Sequence, residues 1–420
     1  MRIGAWIAAV AATWSVAVAG QVPLPVLLHQ HPAVGYQPIG ASQIVADAAR
    51  ALEKSAEYDQ RRGYLPAVLD AFDVPVASQI LLFSKTGAEQ ALTSPQNPRA
   101  FYFNDRVIVS HVPGAVQLEI AVQDPEGGAH FYTVAQTRTA PPAFVGHADC
   151  LRCHITPNTM EVPGFIARSI VTGGDGRPHP DLGNYNVDHR RDYAERWGGW
   201  LVTGAPDSLR HLGNTIVVDL ERKPAATASE VPTLEGRVPV ERYLSPFSDV
   251  TALAVFDHQM HAMNLLTRLG WQGRAAAADG TLDLKTGPVA DLLRETADYL
   301  LFVDEAQLDG PIGGGSGFAE SFTARGPKDA NGRSLRDFDR TSRLFRYPVS
   351  YMVYAPVTSA LPDEVRLALF ARMRVVLDGR TNEARYERLS KEPRQAALEI
   401  LRATHPDWRS AALSAPVGVH

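Results

Sequence analysis

An α+β fold is what this sequence predicts, β-rich in its first half and mainly helical in its second. Short β-branched and aromatic apolar runs, separated by turn residues, crowd the chain up to about residue 240. Beyond Val240, apolar residues recur every three or four positions, the period of a helix. The 420 residues are 45% hydrophobic and 21% charged, which supplies apolar side chains for a sizeable core. With 33 Gly, 30 Pro and only 2 Cys, collagen, disorder and a disulfide scaffold are excluded.

The chain opens like an export leader. Arg2 precedes an apolar run from Ile3 to Val18, and Ala17-Val18-Ala19 is the small-x-small pattern cut by signal peptidase. Residues 1–19 are expected to be a signal peptide, with an uncleaved anchor as the alternative. The run is shorter than the about 20 apolar residues of a spanning helix, and Thr13, Trp14 and Ser15 interrupt it. No later window is long and apolar enough to span, so the mature chain is expected to be exported or periplasmic. Loss of Arg2 takes the formal charge from −5 to −6; with no polybasic tract, nucleic acid is not an expected partner.

Helical patterning runs from Ala41 to Asp59. Strands are then expected at Gln79–Phe83, Ala100–Phe103, Arg106–Val109 and Val116–Val122, with Asn104-Asp105 and Asp124-Pro125-Glu126-Gly127-Gly128 as turns. Further strands fit Phe165–Val171, Trp200–Thr203 and Ile216–Val218. Helices are expected from Val250 to Leu269, capped by Ser248 or Asp249 and closed by Gly270, and near 287–302, 362–377 and 391–403. No internal repeat occurs, and the organisation reads as 20–240 and 241–420 after the leader.

Both cysteines fall in Cys150-Leu151-Arg152-Cys153-His154, which is Cys-x-x-Cys-His, the attachment pattern of c-type haem. Two thiols three residues apart add across the haem vinyl groups, and the adjacent His supplies the proximal iron ligand. The competing readings are a redox dithiol, a local disulfide and half a zinc site. Zinc wants four ligands in compatible pairs, and no second Cys pair exists. A redox Cys-x-x-Cys opens a helix in a thioredoxin-like unit, which the approach Thr139-Ala140-Pro141-Pro142 does not resemble. One motif predicts one covalent haem, so the β-rich half is expected to carry it.

The sixth iron position is not spelled out. Beyond Met1 the methionines are Met160, Met260, Met263, Met352 and Met373; Met160 is too near His154 and none lies some tens of residues after it. This argues against a minimal small cytochrome c and leaves a His, a distant Met or an open iron. His211 is the leading distal candidate, in a loop entering the apolar Thr215–Val218. His258 and His261, three apart on one helix face, come next, and His189 beside Asp188 after them. An ordinary hydrogen-bonded His is the competing reading for each. The helical pair lacks the Glu and the spacing of a zinc-protease motif. His29 and His31, among prolines, are expected to be mobile.

Two further stretches have both a functional and an ordinary reading. Gly310-Pro311-Ile312-Gly313-Gly314-Gly315-Ser316-Gly317 lacks the Gly-Lys-Ser/Thr ending of a phosphate loop and reads as a flexible loop. Arg333, Arg336, Arg343 and Arg346, like Arg190, Arg191 and Arg196, suit either haem propionates or pairing with neighbouring acids.

A resemblance joins several of these stretches. In order they are Asn97-Pro98-Arg99-Ala100-Phe101-Tyr102-Phe103-Asn104-Asp105, Cys150 to His154, Arg196-Trp197-Gly198-Gly199-Trp200, Asp304-Glu305-Ala306, Gly317-Phe318-Ala319 and Gly332-Arg333-Ser334-Leu335. The chain resembles a bacterial family of exported single-haem cytochrome c-like proteins over most of its mature length. The resemblance implies haem binding and electron transfer to a redox partner; it implies no substrate. Family members tend to have Met where this chain has Leu212 and His where Ala205-Pro206 stands, which leaves His211 as that loop's ligand candidate.

Two functions then compete. An electron carrier keeps the iron six-coordinate. A haem-dependent, peroxidase-like oxidoreductase leaves the distal side open beside a polar residue, a role that would suit Gln259.

Overall fold

The computed structural model describes residues 27–40, 42–138, 141–228, 230–308 and 310–409. The leader expected at 1–19 lies outside them. Helices α1 (Gln43–Ser55) and α2 (Leu65–Ala71) precede six strands: β1 (Ile80–Leu82), β2 (Arg99–Phe103), β3 (Val107–His111), β4 (Gln117–Asp124), β5 (Gly128–Ala135) and β6 (Phe144–Gly146). The Cys-x-x-Cys-His segment ends in one helical turn, α3 (Leu151–His154). Strands β7 (Arg168–Ile170) and β8 (Asn184–Asn186) pair separately, and β9 (Trp200–Leu201) joins the main sheet. Seven helices follow: α4 (Val250–Ala278), α5 (Gly287–Leu300), α6 (Phe318–Ala324), α7 (Pro356–Ser359), α8 (Asp363–Leu377), α9 (Lys391–Thr404) and α10 (Pro406–Arg409). No helix among the described residues is long and apolar enough to cross a membrane.

The main sheet is antiparallel with strand order β6-β5-β4-β3-β2-β1-β9. Side chains alternate across a strand, and here both faces are covered. Leu81, Ala100, Tyr102, Leu118 and Ile120 pack under α1 and α2, whereas Ile80, Leu82, Phe103 and Ile108 join the core built around α4. The anticipated turns are held by their own side chains. Asn104 Oδ1 accepts from the Arg106 and Val107 amides, and Asp124 Oδ1 from those of Glu126 and Gly127. One core takes residues from both sides of position 240, so the β-rich and helical regions share it.

Helix α4 crosses one face of the sheet. Its N-cap is Asp249, whose Oδ1 accepts from the Thr251 and Ala252 amides at 2.8 and 3.1 Å. Ser248 instead donates to Leu201 O and accepts from the Leu81 amide. Phe256 packs against Phe101, Phe103 and Trp200, with ring centroids 6.2, 5.3 and 6.1 Å away. The helix does not stop at Gly270; it continues to Ala278. That glycine and Gly273 serve close packing rather than termination. A Cβ on Gly273 would stand 2.8 Å from Val365 Cγ2 of α8, and one on Gly270 3.3 Å from Leu361.

Other expectations need correction. Strands β5 and β6 were not foreseen, and Ile216–Val218 forms no strand, only a single bridge from Val217 to Gly173. The glycine-rich loop is pinned rather than loose: Gly313 O accepts from Thr251 Oγ1 at 2.7 Å, and Ser316 Oγ donates to Asp249 Oδ2 at 2.7 Å. His31 is likewise placed, its Nε2 3.3 Å from Asp279 Oδ1. Gly273→Val should destabilise the protein by about 1–3 kcal/mol in urea unfolding, since the added branches overpack the α4–α8 contact; a companion Val365→Ala change should recover part of the loss.

Candidate functional site

Strand β6 delivers the chain to the Cys-x-x-Cys-His segment at an edge of the sheet. His147, just past β6, hydrogen-bonds through Nε2 to Thr133 Oγ1 of β5 at 2.9 Å. A short 3-10 turn, Ala148–Cys150, then runs into α3. Both thiols are free; Cys150 is half-buried and Cys153 exposed. Burial pushes the Cys150 thiol up from its ordinary value. Arg152 and Asp149 form an exposed pair at 3.3 Å, a contact that water and salt screen heavily.

His154 is fixed much more tightly. Its Nδ1–H donates to Gly164 O at 2.8 Å, the tautomer required because a carbonyl only accepts. The His154 carbonyl in turn accepts from the Gly164 amide at 3.0 Å and from Thr159 Oγ1 at 3.2 Å. Phe131 of β5 packs on the imidazole, ring centroids 4.4 Å apart. Burial holds the imidazole below its ordinary pKa, with the Gly164 bond opposing, so the ring is neutral at pH 7. Nε2 is therefore the nitrogen left to take a metal. Neutral His with a carbonyl on Nδ1, following two free thiols at this spacing, is a donor set that fits a covalently held haem.

The structure does not bring His211 to His154. The Leu212 and Asn214 amides donate to Arg196 O and Trp200 O, placing His211 beside β9. His154 packs on β5, which lies five inter-strand steps from β9 in the sheet order. An axial nitrogen has to come within about 2 Å of the same metal. His211 is fully buried against Trp197, and neither ring nitrogen has a hydrogen-bond partner. Burial lowers its pKa to about 4.

The other candidates are engaged elsewhere. His189 Nδ1 and His258 Nδ1 are 2.8 Å apart, and His258 Nε2 lies 2.7 Å from Ser350 Oγ. Both rings are buried among Tyr299 and Phe302. His261 Nε2 is 3.0 Å from Arg190 Nη2, whose guanidinium also holds Asp188. Gln259, suggested above for a distal role, donates to Asn104 O and accepts from Tyr351 OH. Most of the arginines read as propionate partners meet carboxylates instead: Arg333 with Asp329 and Glu399, Arg336 with Asp105, Arg343 with Glu305, Arg191 with Glu195, Arg196 with Asp257. A cavity of about 470 Å³ lined by Arg190, Glu295, Tyr299 and Arg385, among others, includes no motif residue. Among the described residues, no three His, Cys, Asp or Glu side chains converge as a metal site.

Residues 159–164 were not foreseen as part of the site. The Pro163-Gly164 pair was the available signal, a turn dipeptide ten residues past the motif. No family model, curated protein or solved structure matches this chain.

His211→Leu should raise stability at pH 7 by about 1 kcal/mol, because it removes unpartnered buried nitrogens. The histidine binds a proton below about pH 6.5 when unfolded but only near 4 when folded, so its contribution is complete above the first value and lost as pH falls toward the second. Chemical unfolding from pH 7 to pH 4 should therefore show a shallower decline in the variant.

Proposed function

We propose that this chain holds one covalent haem on Cys150 and Cys153, with His154 as proximal iron ligand, and acts as an exported single-haem electron-transfer protein. The observation that carries the reading is the setting of His154. A neutral imidazole, fixed through Nδ1 by Gly164 O and on its face by Phe131, offers Nε2 beside two free thiols. A haem bound there supplies one-electron redox chemistry. The residues of the chain do the rest. The thiols anchor the group, His154 ligates it, and the Gly164 carbonyl strengthens the ligand by drawing on the Nδ1 proton. Exposure of Cys153 keeps that edge of the site at the surface, where a redox partner can approach.

One observation favours the second reading, a haem-dependent oxidoreductase with an open distal side. His189, His211, His258 and His261 are all held away from His154 or bonded to other groups. An absorption spectrum, taken reduced and with carbon monoxide on protein matured in an exporting host that assembles c-type haem, separates the two. Sharp low-spin bands unmoved by carbon monoxide are expected of the electron carrier; a high-spin iron that binds the gas gives the role to the oxidoreductase. Replacing Cys150 and Cys153 by Ala should abolish haem staining on a denaturing gel, and staining that persists would remove the basis of both readings.

A further inference from the structure

The peptide unit that holds His154 is gripped from its other end by α4. Gly164 O, the acceptor of the His154 Nδ1 proton, and the Phe165 N–H belong to one planar amide. That N–H donates to Asn264 Oδ1 at 2.9 Å, and Asn264 Nδ2 donates back to Phe165 O at 2.8 Å. Asn264 is 2% exposed, so both bonds form out of water, where hydrogen-bond chains polarise one another most. The glycine is required by the same contact: a Cβ on Gly164 would stand 2.3 Å from Asn264 Oδ1 and 3.1 Å from Thr159 Cβ. Asparagine is a poor helix former in mid-helix, and here its side chain has a specific duty toward another segment.

We infer that Asn264 is a positioning residue for the haem ligand. Through the 164–165 amide it fixes the direction of the carbonyl that orients His154 and increases the negative charge on its oxygen. A stronger acceptor on Nδ1 makes Nε2 a stronger donor, which favours the oxidised metal. The inference rests on the haem reading above and adds to it a residue that reaches His154 through the 164–165 amide.

The test is the reduction potential of the haem-loaded full chain, with haem content measured alongside. Asn264→Leu removes both bonds while keeping four side-chain heavy atoms branched at Cγ. The reduced-to-oxidised ratio at a fixed applied potential should rise roughly tenfold, a positive shift of about 59 mV for one electron. Asn264→Asp is the conservative partner. Protonated at acid pH, its carboxyl can accept from Phe165 N–H and donate to Phe165 O, so the wild-type potential should return; ionised at higher pH, it should depart from wild type again.

A folded, fully loaded Asn264→Leu protein with the wild-type potential would overturn the inference and leave the haem reading standing. Should that variant fail to fold by circular dichroism, an Asn264→Asp potential that tracks wild type at every pH would overturn it equally. Wild-type protein without covalent haem would instead defeat the haem reading, and the inference with it.

Discussion

Everything in this fold depends on burying α4. The helix is apolar on nearly all sides, so it is stable only when enclosed. Its polar side chains must find partners inside or cost about 1–3 kcal/mol each. Several of them find partners in the first half of the chain. Gln259 reaches the β2–β3 turn at Asn104 O, and Trp271 Nε1 donates to Glu126 O in the β4–β5 turn at 2.7 Å. Thr267 meets Gln123 Nε2 of β4 at 3.0 Å, and Asp257 accepts from Trp197 Nε1 at 2.9 Å. The helix thus covers the sheet and fastens its turns, and the segment after the Cys-x-x-Cys-His turn is one more of these attachments.

The same constraint explains which parts of the fold were legible. Strands β1 to β4 and the start of α4 carry local signals, namely apolar runs, Asn and Asp turns and an Asp cap, and these were readable. Gly270 was misread because a glycine at a helix end and a glycine under a crossing helix look alike in sequence; only the position of Val365 and Leu361 distinguishes them. Strand β5 was missed because it opens on Gly128, Ala129 and His130, weak strand formers held in place by their pairing with β4. At the candidate site, Cys150, Cys153 and His154 announce themselves by spacing. Gly164 and Asn264 do not, since their roles exist only once segments 99 residues apart have met.

The histidines illustrate a related limit. His211, His189, His258 and His261 have the sequence contexts of possible ligands, yet what sets their role is which sheet edge or core pocket receives them. His189 and His258 share one hydrogen bond between two Nδ1 atoms, so one ring must donate and the other accept. Burial keeps His258 neutral, its pKa lowered to about 3, which suits that arrangement. Next to it, burial raises Asp257 to about 7 despite Arg196 and Trp197 nearby. Behind α4, neutral histidines therefore sit beside the buried Arg196–Asp257 pair in one polar network.

The separation between Asn264 and Phe165 also bears on how the protein is made. Contacts between segments far apart in sequence form late, because a long loop must close first. The edge-strand approach and the thiols are complete within the first 154 residues, whereas the amide behind His154 is locked only when α4 docks. If the chain takes a haem as proposed, the thiol pair that would hold it thus precedes, along the chain, the helix that fixes the imidazole's carbonyl partner. A chain ending short of residue 264 would carry Cys150, Cys153 and His154 but lack the contact that holds the Gly164–Phe165 amide.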